Sequence, residues 1–229
     1  MKKQYKHIIA LAVIIIPFYS VAILQKILFT QEQIIVEEFL GFYMLLGIIG
    51  ISTVLLSNKF ILKEKLTVFR NVKSTFITDF ALSGVILSSF YLLQSIEAIS
   101  YGTWFNKTVE SPAAQELFAK IFDNTLYSFV IIGPFNWFNE GFTAISIGFI
   151  LINFWSIGNK KAWVWISIVI TSSIFAVIQI NLGIPEMINS FLIISISSYL
   201  FYKYRSILPL LFASILHQTI DLASYWYYF

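Results

Sequence analysis

A chain of 229 residues that is 58% hydrophobic and only 12% charged, with a mean hydropathy of +0.80, is too apolar for a soluble fold. Disorder, nucleic-acid binding and ordinary cytosolic enzymology are excluded, because a soluble surface needs far more charge, whereas lipid solvates Phe, Ile and Leu directly. The chain has no Cys, which removes disulfides, thiolate nucleophiles and thiolate metal sites, and its net charge of +3 matters through its placement.

The expected fold class is all-α: a single transmembrane helical bundle over 1–229, polytopic, with about seven spans and a cytoplasmic N-terminus. The first span, 7–24, follows a basic start, and because no small-x-small cleavage site comes after it, it is expected to be retained. The second is 39–56. Residues 57–74, SNKFILKEKLTVFRNVKS, mix basic and apolar side chains and are expected to lie on the anionic cytoplasmic leaflet. The third span is 75–95. In SPAAQELFAKIFDN, Ser111 can cap a helix and Pro112 can fill its first position, while Leu117, Phe118, Ile121 and Phe122 share one face, so an interfacial amphipathic helix is expected. The fourth apolar stretch, 125–156, would reach roughly 48 Å at about 1.5 Å per residue, and is expected to tilt, protrude or break near Pro134 or Gly141. Spans at 162–180, 188–202 and 207–227 complete the set.

Basic residues orient such a chain. Twelve of the fifteen Lys and Arg fall in residues 2–6, 59–73, 160–161 and 203–205, which puts those segments on the cytoplasmic side; only Lys26, Lys107 and Lys120 fall on the other. The terminal SYWYYF then supplies an aromatic belt at the outer interface.

An ionisable side chain inside a span needs a partner or a purpose. Asp79, in the first turn of the third span, reads as a solvated helix end. Glu140, Gln179, His217 and Asp221 lie deeper. Counting about 1.5 Å per residue from the cytoplasmic side gives roughly 23, 25, 15 and 21 Å for them, so one shared cavity is feasible. His217 and Asp221 are four apart, on one helical face, where a carboxylate can orient an imidazole; an interhelical polar pair is the structural alternative. Ser214 reads as a small packing residue, since a hydrolytic triad strung along one helix would not aim its hydroxyl at the imidazole.

Over 125–229 the chain resembles the CAAX protease and bacteriocin-processing (CPBP, or Abi) family of intramembrane endopeptidases, whose three signatures are EExxxR, FxxxH and HxxxN/D. GPFNWFNEGFTAISIGF is similar to the first, SSIFAVIQINLG to the second and RSILPLLFASILHQTIDL to the third. The 1–124 segment, three spans with the amphipathic segments, is too generic to compare. Glu140 matches the second Glu of the first signature, but the first is Asn139 and the Arg is Ala144; Phe175 matches the Phe of the second, whose His is Gln179; His217 and Asp221 complete the third. The resemblance implies that the leading Glu activates water and that the two His with the Asn or Asp hold that water, a metal or the oxyanion.

Neither Asn139 nor Gln179 can accept a proton near neutral pH, and Glu140 points about 100° from its neighbour's direction along a helix. One His with two carboxylates is a thin ligand set for a catalytic zinc. The expectation is therefore a degenerate member: a pseudoprotease of a bacterial plasma membrane, binding lipid and another membrane protein or a peptide, with no nucleic acid and no cofactor, or a bacteriocin-immunity-type protein. An active endopeptidase using Glu140, His217 and Asp221, with zinc only in that case, is the second reading. A small transporter or channel component with Glu140 and Asp221 as proton or cation sites is the third.

Overall fold

Runs of Phe, Ile and Leu with few helix breakers fold here into seven α-helices among the described residues: α1 (Lys3–Leu28), α2 (Val36–Leu56), α3 (Phe76–Tyr101), α4 (Asn139–Phe154), α5 (Lys160–Ile178), α6 (Ile184–Tyr204) and α7 (Leu208–Tyr228). The computed structural model describes residues 3–28, 36–64, 69, 75–101, 137–154, 160–178 and 184–228. No strand occurs among them, as expected for an all-α chain. Three helical stretches, Gln4–Val21, Met44–Leu62 and Phe76–Ile96, are long and apolar enough to cross a membrane; Lys161–Val177 and Leu208–Ala223 are apolar but shorter. The expected amphipathic helix at 111–124 and the first part of the fourth stretch, 125–136, lie outside the described residues. What is described of that stretch is a π-helical turn at Trp137 and Phe138 leading into α4.

The short helix α4 is the axis of the bundle. It packs against α1, α2, α5 and α6, and every residue from Gly141 to Ile150 is buried. Its apolar side chains point to several sides, and Phe142, Ile145, Phe149 and Ile150 join Ile14, Phe18, Val54, Phe175 and Phe201 in one apolar core. A second cluster, Ile86, Leu87 and Phe90 of α3 with Ile193 and Leu200 of α6 and Ala213 of α7, joins the α3–α7 pair to the rest.

Small residues let helices come close, and their hydroxyls can bond across the seam. The α5–α6 seam is accordingly lined with small polar residues, and Ser195 donates to the Ser172 hydroxyl at 2.9 Å. Gly148 lets the Tyr202 hydroxyl come down on α4, where it donates to the Ile145 carbonyl at 3.3 Å. Ser214 is fully buried and donates to the Leu211 carbonyl of its own helix at 2.8 Å, as a packing residue does.

Two expectations need correcting. The 57–74 segment is no simple surface ribbon: Ser57–Leu62 continues α2 as a π-helix with Ser57 and Asn58 buried, and Phe69 inserts its ring 5.0 Å from Phe142 and 6.2 Å from Phe201. The Phe69 carbonyl accepts from the Ile207 N–H at 2.9 Å, closing that end of the bundle. Asp79, read as solvated, is 1% exposed: although Phe76, Ile77 and Phe80 beside it are exposed, the side of the first turn of α3 that carries the aspartate is covered.

Candidate functional site

His217 lies in the middle of α7, on the face turned to α3, and its imidazole is enclosed by aromatic rings. Trp137 stacks on it with centroids 4.4 Å apart and planes at 28°, and Phe90 meets it edge-on at 4.6 Å and 71°. Phe90 and Trp137 also touch each other, 5.0 Å apart at 87°, so the box is closed on two sides. Both ring nitrogens are occupied. Nδ1 is 3.0 Å from the Tyr91 hydroxyl, and Nε2 is 3.3 Å from Oδ2 of Asp221. The assignment that satisfies every group puts the proton on Nε2, donated to Asp221, and leaves Nδ1 to accept from the Tyr91 O–H. The histidine side chain is 14% exposed and the aspartate 36%, so the pair opens to its surroundings through Asp221.

The start of α4 builds a second polar locus. Asn139 is 1% exposed, and its Oδ1 accepts from the Thr143 hydroxyl at 3.4 Å, one turn along. That oxygen lies against Gly50 of α2, where any Cβ would collide with it, and Phe18 crowds the same glycine from α1. Among the described residues the buried Asn139 Nδ2 has no hydrogen-bond partner, and neither has the buried hydroxyl of Tyr19, the next residue along α1 from Phe18. Glu140 points elsewhere than Asn139, as successive helical residues must, and its carboxylate acts electrostatically on the Tyr19 phenol. Phe175 of α5 completes this corner, 5.7 Å from the Phe18 ring and 6.2 Å from that of Tyr19. Ala144 is fully buried inside the apolar core.

The residues singled out from the sequence thus fall into two groups. Asn139, Glu140 and Phe175 gather where α4 meets α1, α2 and α5, and His217 with Asp221 gathers with α3. Trp137, three residues before Glu140, reaches from the α4 side into the histidine box. Gln179 lies outside the described residues. Among the described residues no three His, Asp or Glu side chains come together as metal ligands, so Glu140 does not join His217 and Asp221 in a common ligand set.

Sequence reasoning passed over Tyr19, Tyr91, Trp137, Phe90 and Gly50. Tyr91 was accessible in principle, since a phenol inside an apolar span is itself a polar group needing a partner. Trp137 sits within the motif already quoted, yet in a chain with 23 Phe, 12 Tyr and 6 Trp one more ring carries little signal. Compared with protein-family models, curated proteins and solved structures, the chain gives no match.

Proposed function

We propose that this chain is a multi-pass protein of a bacterial plasma membrane, N-terminus cytoplasmic, of the CPBP type with a disarmed peptidase site, and that it acts by binding, as a scaffold for another membrane protein or as a bacteriocin-immunity-type protein. The membrane part draws support from the correspondence between seven apolar stretches and seven helices, with the basic residues concentrated at one end. The disarmed part draws support from chemistry. A general base needs a lone pair aimed at water, and a metal ligand needs one aimed at the ion. In His217 both nitrogens are already engaged by Tyr91 and Asp221, and this is the observation that carries the reading. Glu140 belongs with Asn139 and Phe175 in the other locus, and the arginine position of the first signature is Ala144 in a packed core.

The test separates binding from chemistry. In proteoliposomes, the chain is expected to cleave prenylated and transmembrane reporter peptides no faster than its Glu140→Gln and His217→Ala variants. Cleavage that disappears in those variants overturns the reading. In cells, His217→Gln keeps hydrogen-bonding capacity without a titratable ring. A folded H217Q protein is expected to retain partner binding or protection against a bacteriocin, and its loss in a folded protein would point back to catalysis.

A further inference from the structure

One face of the α5–α6 pair carries a pattern for which the binding reading has no use. Trp165 on α5 is 54% exposed and Tyr199 on α6 is 39% exposed, yet their rings are stacked, centroids 5.4 Å apart and planes at 17°. Lys203, one helical turn beyond Tyr199 and exposed, brings its ammonium 5.9 Å over the Tyr199 ring and 5.1 Å from that of Tyr204. Among the described residues no carboxylate forms an ion pair with Lys203. The stacked pair and the Ser172–Ser195 bond show that α5 and α6 run antiparallel, so Lys161, one turn before Trp165, follows toward the same end of the bundle as Lys203. In the other direction Val169, one turn past Trp165, is 50% exposed and continues the stripe with aliphatic surface.

The order along the stripe is therefore cation, stacked aromatic pair, aliphatic side chain. A phospholipid lying along a helix presents the matching order of phosphate, glycerol-ester region and acyl chain. Amphipathic rings settle at the ester level, and a lysine beside an anionic membrane surface gains about 1 kcal/mol, roughly fivefold in affinity. The exposed stack has a further consequence: two rings held together are a pre-formed flat wall, so a lipid placed on it orders no new aromatic side chain.

We infer that the Lys203–Tyr199–Trp165 stripe is a seat for one anionic phospholipid, with the phosphate on Lys203 and the ester region on the stacked rings. The inference rests on the membrane reading and not on the peptidase resemblance.

The experiment is native mass spectrometry of the full chain in detergent, titrated in parallel with phosphatidylglycerol and phosphatidylcholine of the same acyl chains. The first phosphatidylglycerol is expected to bind roughly fivefold more tightly than the first phosphatidylcholine, as one lysine at an anionic headgroup predicts. K203E should erase the preference and K203R should keep it, while W165A should weaken both lipids. Lys59 is the internal control, because it too is exposed at this end and lies over an aromatic ring, 5.2 Å from Phe60, but among the described residues has no stacked pair beneath it. K59E should leave the preference intact. Equal binding of the two lipids by the wild type, or equal loss in K59E and K203E, overturns the seat. If the chain meanwhile resists carbonate extraction from membranes, the membrane reading stands without it.

Discussion

At His217 both ring nitrogens have partners and the ring is walled by Trp137 and Phe90, whereas at Asn139 the amide nitrogen and the neighbouring Tyr19 hydroxyl are buried with none among the described residues. The first locus is specified by polar complementarity: α7 supplies the imidazole and the carboxylate, α3 supplies the phenol, and each group has what its neighbour needs. The second is specified by space, because Asn139 fits only where Gly50 leaves room for it. A substitution should therefore hurt the histidine box by orphaning its partners and hurt the Asn139 corner by adding atoms.

The largest effect expected lies in the packed core between the two loci. Ala144→Arg, which restores the arginine of the first signature, would bury an unpaired guanidinium and cost more than about 4 kcal/mol, so size-exclusion chromatography in detergent should recover little or no monodisperse protein. Recovery of a folded A144R chain would break the picture of α4 as a sealed axis. His217→Ala comes next. It opens a void among three rings and strands Tyr91 and Asp221, for about 2–4 kcal/mol in micellar thermal unfolding, and H217Q should regain part of that loss.

Gly50→Ala is expected to cost about 1–3 kcal/mol through overpacking, and Asn139→Ala in the same chain should return much of it, since the oxygen in the way is gone. Additive losses in that double-mutant cycle would mean that the two residues do not constrain each other. Tyr91→Phe should be the mildest, about 1 kcal/mol, the value of one hydrogen bond with its partner left behind.

Much of the architecture was legible because long apolar runs with few breakers mark helices by length and composition alone. The predicted 39–56 and 75–95 correspond to Val36–Leu56 and Phe76–Tyr101, and 207–227 to Leu208–Tyr228. Of the over-long fourth stretch only the part from Trp137 onward is described, and there a π-helical turn leads into α4. The sites were legible only in part. The His217–Asp221 pair followed from helical spacing, but the partner that fixes its tautomer, Tyr91, is 126 residues away and carries no local mark. The grouping of Asn139 with Gly50 could not be foreseen, because a glycine in an apolar helix announces neither its neighbour nor its reason. Burial of Asp79 and the inward turn of Phe69 escaped for the same cause: both depend on which helices become neighbours.

The enclosure of α4 bears on how such a chain could be assembled. From Gly141 to Ile150 every residue of the helix is covered by protein, and the buried Asn139, Thr143 and Ser146 lie among neighbouring helices. During synthesis α4 emerges before α5 and α6, two of the four helices that will surround it. The cover given by α5 and α6 is therefore the last to be added in chain order, after α1 and α2 have supplied theirs.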